Sequence, residues 1–210
     1  IGTPLDRGTM CRWLEEAGAA TGATVVEAMR QDALRHAFCI STDATGILVQ
    51  PANGGGDQAR RGCRHAHFLV QIADADHVFF EYLARETSVT IGELFRGFSG
   101  YVQADAKSTY DFLFTPPDQR PPPDDGDPDL GVRHEVGCWS HCRRKLWECA
   151  VTTKDPVARE GVLRVKRMFD LDRSWRDRPH SEIRSLRDVH LRPHTDAFFA
   201  WVAIEYARIK

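Results

Sequence analysis

Apolar and polar positions change period several times along the chain, and those changes mark out its elements. Met10, Trp13, Leu14 and Ala17 recur at helical spacing behind Asp6, a residue suited to the N-cap, so a helix is expected from about residue 7. Gly18 and Gly22 weaken that pattern, and a second helical stretch over 24–35 presents Val25, Val26, Met29 and Leu34 on one face. Residues 38–49 are rich in β-formers and end at Pro51 and Asn53-Gly54-Gly55-Gly56, a strong turn signal. This first strand carries Asp43 in its middle, flanked by Ile40, Ile47, Leu48 and Val49, which suggest a buried setting.

A basic tip (Arg60, Arg61, Arg64) leads to a second strand over 67–73, bracketed by His65 and His67, which read as structural histidines. The tight turn Asp74-Ala75-Asp76 leads to a third strand over 77–82, completing an antiparallel meander. Ile91, Leu94 and Phe95 predict a short helix over 90–98. Gly100 breaks it, and Tyr101-Val102-Gln103-Ala104-Asp105 is a fourth strand ending in an aspartate. A helical turn is expected at 110–114. Residues 115–131 hold six prolines and five acids, a composition that predicts an exposed, disordered loop. A fifth strand over 133–138 leads into a helix over 140–150, and 156–210 reads as helical and Arg-rich. The order β-β-β-α-β-(α)-β-α is the ribonuclease H arrangement. An α/β fold follows, with three antiparallel strands joined to parallel ones, flanking helices and a C-terminal helical region.

Composition sharpens this picture in three places. At 210 residues the chain is long enough for one substantial core, or for a core plus a small helical appendage. Its six cysteines are too sparse for a disulfide scaffold, which favours a reduced cytosolic compartment. No apolar run is long enough to span a membrane, so no membrane partner is expected, and no secretory leader is read at the start. Net charge is −2, but it is unevenly placed. Residues 103–130 hold seven acids against two bases, whereas 131–192 hold 15 Lys and Arg against nine acids. The later part suits a polyanion.

In the ribonuclease H arrangement the first and fourth strands lie parallel and adjacent, which sets Asp43 beside Asp105. Two such carboxylates repel, and Mg²⁺ or Mn²⁺ relieves the repulsion; two ions ~3.5–4 Å apart support in-line phosphoryl transfer. Taken singly, Asp43 also suits a solvated strand position, and Asp105 before Ala106-Lys107-Ser108 also suits a helix N-cap. Cys138, His141, Cys142 and Cys149 fit either a zinc site of poor spacing or, for Cys138 and Cys149, small apolar core groups. Arg143, Arg144 and Lys145 at a helix start oppose the helix dipole, which an anionic phosphate backbone would relieve; a solvated basic face is the plain alternative.

Four stretches give the chain a resemblance. Pro4-Leu5-Asp6-Arg7-Gly8-Thr9-Met10-Cys11-Arg12-Trp13 looks like a helical segment before a catalytic core. Thr42-Asp43-Ala44-Thr45 resembles a first-aspartate motif, usually Asp-Glu-Thr, from which Ala44 departs. Phe98-Ser99-Gly100-Tyr101-Val102-Gln103-Ala104-Asp105 matches a second-aspartate motif. Gly137-Cys138-Trp139-Ser140-His141-Cys142-Arg143-Arg144-Lys145-Leu146 is similar to a Cys-Trp-Ala-His-x-Arg-Arg-Lys-Phe stretch. Together they resemble the insertion-sequence-66 family of DDE transposases, from residue 4 to about 150.

The resemblance implies Mg²⁺-dependent cleavage and transfer of DNA strands, with Asp43 and Asp105 as catalytic metal ligands and two ions in the complete site. It implies transposon-end and target DNA as partners, homo-oligomers on DNA, and a bacterial cytoplasmic, nucleoid-associated setting. Cys138 and His141 belong to a recurrent motif near the site, without an assigned role. The expected organisation is a helical segment at 1–36, a catalytic core at 37–150 and a helical insertion at 151–210. The family's third acid lies in an Asn-Asn-x-x-Glu-Arg stretch that does not occur before Lys210, and Glu160, Glu182 and Glu205 lack its context. A fragment or a truncated copy is therefore expected. The alternative function is a non-catalytic DNA-binding or oligomerisation protein derived from a transposase.

Overall fold

The computed structural model describes residues 6–50, 62–74, 76–121 and 126–209. Pro4, Leu5, the Asn53–Gly56 turn and the basic positions Arg60 and Arg61 lie outside them, as does Ala75. The chain divides into two compact units, Ile1–Gly137 and Cys138–Lys210.

The first unit opens with α1 (Arg7–Ala17), capped as expected by Asp6, whose carboxylate accepts from Thr9 N at 3.2 Å. Gly18 and Gly22 do not separate two helices. A π-helical segment, Gly18–Gly22, carries α1 directly into α2 (Ala23–His36). Glycine costs a helix about 1 kcal/mol but fits its dihedral angles, so propensity alone does not end it. The stripe of Met10, Trp13 and Leu14 is exposed rather than packed. α2 does pack: Ala33 is buried, Val26, Met29 and Leu34 lean on the core, and Asp32 accepts from His77 Nε2 at 2.7 Å.

The five strands are β1 (Cys39–Val49), β2 (Arg64–Ala73), β3 (His77–Leu83), β4 (Gly100–Ala104) and β5 (Arg133–Gly137). Their order in the sheet is β3-β2-β1-β4-β5. β1, β2 and β3 pair antiparallel, while β4 lies parallel between β1 and β5. This mixed sheet with its flanking helices is the expected ribonuclease H-like fold. The antiparallel turn is clamped back onto β1, because the Asp74 carboxylate accepts from Phe38 N at 2.8 Å and Cys39 N at 3.0 Å.

The core lies on one face of the sheet, where Ile40, Leu69, Phe79 and Val102 meet Ile91 and Leu94 of α3 (Ser88–Leu94), with Phe95, Phe98, Tyr110 and Leu113. Each large apolar side chain buried there contributes about 1.5–3 kcal/mol. The apolar setting expected along all of β1 holds only for its first half. β4 pairs with β1 at Cys39, Ile40 and Ser41, so beyond these residues β1 runs on beside β2 alone. Leu48 is accordingly 64% exposed, and Asp43 is exposed as well.

The 115–131 segment, expected to be disordered, is pinned at both described ends; Pro122, Pro123, Asp124 and Asp125 lie outside the described residues. Arg120, its side chain 4% exposed, donates to the carbonyls of Thr115, Asp129 and Gly131. Arg133 on β5 is fully buried and donates to Leu113 O, Phe95 O and the Asp129 carboxylate. Composition predicts disorder because it counts polar residues, but two guanidiniums closing on one carboxylate satisfy those polar groups inside the fold. Gly131 completes the clasp: a Cβ there would stand 2.2 Å from Phe98 O.

The second unit is helical: α4 (Trp139–Thr153), α5 (Pro156–Arg173), α6 (His180–Leu186), a π-helical segment (Arg187–Leu191) and α7 (Arg192–Ile209). Lys154, in the left-handed region at φ 57°, turns the chain, and Asp155 caps α5 through Val157 N. Val165, Met168 and Phe198 form the centre, flanked by Trp139, Leu146 and Trp201. Among the described residues no helix is long and apolar enough to cross a membrane.

Candidate metal centre

The register of β1 against β4 builds the site. Ser41 stands opposite Gln103, and their side chains share a face, since Ser41 Oγ donates to Gln103 Oε1 at 3.0 Å. Side chains in a strand repeat every two residues. Two residues on, Asp43 and Asp105 come level on that same face, and a carboxylate oxygen of each lies within 4.8 Å of the other. Asp43 is exposed and Asp105 half-buried. The Asp43 carboxylate also accepts from Ala44 N at 2.9 Å.

Asp105 is not a helix cap. The 3-10 helix that follows, Ser108–Phe114, has Lys107 at its cap position with no side-chain bond. Asp105 heads a tight turn, in which Lys107 N donates to Asp105 O at 2.8 Å and Tyr110 N to Lys107 O at 2.9 Å. On the core side of the sheet, Thr42 Oγ1 donates to Val70 O at 3.1 Å, and Tyr110 is buried. Burial is the main cause of the upward push on the Tyr110 phenol, reinforced by the negative charges of Glu86, Asp105 and Asp43.

Glu86 is a residue that sequence reasoning missed. It belongs to no motif and sits in the short connection between β3 and α3, yet its side chain is only 2% exposed. Its carboxylate accepts from Lys107 Nζ at 2.5 Å and from Thr109 Oγ1 at 3.5 Å, with His67 Nε2 at 3.7 Å. No local signal reveals this, because the partners come from two stretches of chain, one on either side of Glu86 and each about 20 residues away.

The other expected residues belong to the second unit. Cys138 stands at the N-cap position of α4 and His141 in its first turn, both half-buried. Arg143, Arg144 and Lys145 follow as three exposed cations, and Ser140, Arg143, Arg144 and Trp147 line a shallow cavity of about 230 Å³. The zinc reading of Cys138, His141, Cys142 and Cys149 finds no support: among the described residues these four do not converge as a ligand group. Burial raises the Cys142 thiol. Cys149, read as a core group, is exposed, with Sγ 3.6 Å from Thr153 Oγ1, because it lies on the solvent side of α4. Glu160, Glu182 and Glu205 are each paired with an arginine of nearby sequence, Arg164, Arg178 and Arg208 respectively.

Two close carboxylates, one in β1 and one just past the end of β4, are a hard-oxygen donor set that fits Mg²⁺ or Mn²⁺. Comparison with curated proteins gives no match, and comparison with solved structures gives none either. The match to a family is complete in extent: residues 1–210 fit the family described as "Transposase IS66 family". The chain belongs to the IS66 family of transposases.

Proposed function

We propose that this chain is a transposase catalytic core that processes DNA by phosphoryl transfer, with Asp43 and Asp105 holding a divalent ion, Mg²⁺ or Mn²⁺. The observation that carries the reading is the pair itself: one carboxylate from β1 and one just past the end of the parallel β4, within 4.8 Å, in a chain of a transposase family. When bound, the ion activates the attacking hydroxyl and neutralises charge at the leaving oxygen. Asp43 and Asp105 supply ligand oxygens and leave remaining positions for water and a scissile phosphate. The exposed Arg143, Arg144 and Lys145 meet the DNA backbone, where each cation releases counterions and adds affinity without sequence preference. Transposon-end and target DNA are the substrates, and the active species is a homo-oligomer assembled on them.

A fluorescence-anisotropy titration with a short DNA duplex, with and without Ca²⁺, tests the reading without requiring strand cleavage. An ion held between the two carboxylates and a phosphate raises DNA affinity in the wild-type chain and not in Asp43→Asn. An equal gain in both proteins contradicts the reading, and favours a transposase-derived DNA-binding protein that does not use this site.

A further inference from the structure

Asp105 differs from Asp43 in how it is held. Asp43 lies inside β1, where the ladder to β2 fixes its backbone at Val70. Asp105 lies one residue past the end of β4, at the head of a turn, so its position depends on what holds that turn. The side chains of the turn supply the answer. Lys107 and Thr109 both reach the buried carboxylate of Glu86, and His67 on β2 approaches the same group. Glu86 thus ties the segment after β4 to the opposite, antiparallel half of the sheet.

We infer that Glu86 is the positioning residue for Asp105: through Lys107 and Thr109 it fixes the turn that aims the Asp105 carboxylate at Asp43. The inference rests on the metal-site reading above. A carboxylate 2% exposed is costly to bury without partners, so the bonds from Lys107 and Thr109 hold Glu86 and the turn together. Outer partners that orient a metal ligand typically change metal affinity 10–100-fold when removed.

Two simpler roles predict different results. A purely structural Glu86 changes stability and leaves metal affinity alone. A purely electrostatic Glu86 weakens cation binding on removal, but then removing Lys107, a nearby cation, tightens it. Positioning predicts that both removals weaken binding, because each cuts the same strap.

The test is Mn²⁺ titration by calorimetry on the full chain, comparing wild type with Glu86→Gln, Lys107→Met and the double variant, alongside amide hydrogen exchange without metal. Each single change weakens Mn²⁺ binding roughly tenfold, and the double variant is no weaker than the worse single one. Without metal, the amides of Lys107 and Tyr110 exchange faster in every variant. Tighter binding by Lys107→Met, or unchanged affinity in both single variants while Asp105→Asn loses binding, overturns the inference and leaves the metal site standing. No Mn²⁺ binding by the wild type overturns both. Should Glu86→Gln not fold, Lys107→Met alone decides, since the Lys107 side chain is 45% exposed, with the fold of the variant checked by circular dichroism.

Discussion

Ser41 Oγ donates to Gln103 Oε1 at 3.0 Å, and this bond between neighbouring parallel strands marks which side chains of β1 and β4 share a face. Asp43 and Asp105 inherit that alignment two residues further on. Without a cation the two carboxylates stand close together as like charges, and their repulsion works against the fold. In a chelator, Asp105→Asn therefore keeps or raises the melting temperature. A melting point several degrees below wild type would show instead that the Asp105 carboxylate supports the fold.

The Arg120–Asp129–Arg133 clasp gives a stability prediction. Burial works against the charge of Asp129, but the Gly97 N–H, Arg133 and the Gly131 N–H more than offset it and hold the carboxyl below its usual range. A carboxyl lowered in the folded state contributes stability above its unfolded value of about 3.9 and loses it as pH falls towards the folded value. Asp129→Asn leaves two arginines buried without their anion, a loss of about 3–5 kcal/mol. Urea unfolding at pH 7 measures that loss, and the acid-dependent part of the stability shrinks in the variant. Equal urea midpoints at pH 7 would remove the clasp from the account.

Arg143 and Arg144 are exposed on the first half of α4. If both meet DNA phosphates, Arg143→Ala with Arg144→Ala weakens binding across all sequences and lowers the salt slope of log affinity by about 1.8. Anisotropy at several salt concentrations checks this. An unchanged slope takes the two residues off the DNA surface.

How much of this was legible beforehand depended on the range of the interactions involved. The strands were readable because β-formers and turn residues act locally, and Asp6 was readable as a cap because its partner Thr9 lies three residues away. The pairing of Asp43 with Asp105 was readable only through strand order, which the sequence of elements supplied. Glu86 was not, because its partners His67, Lys107 and Thr109 meet only in three dimensions. The clasp was hidden for the same reason: a Pro- and Asp-rich stretch looks solvated until Arg133, from a later strand, closes on Asp129. The α1 stripe erred in the other direction. Met10, Trp13 and Leu14 keep helical spacing, but periodicity says which face is apolar and not what covers it.

The central claim, that Asp43 and Asp105 converge on one divalent ion, is tested most directly by calorimetric Mn²⁺ titration of the wild-type chain, Asp43→Asn and Asp105→Asn. Saturable binding in the wild type, lost in both variants, is the predicted result. Equal affinity in all three proteins would contradict it, and would place any bound ion elsewhere on the chain.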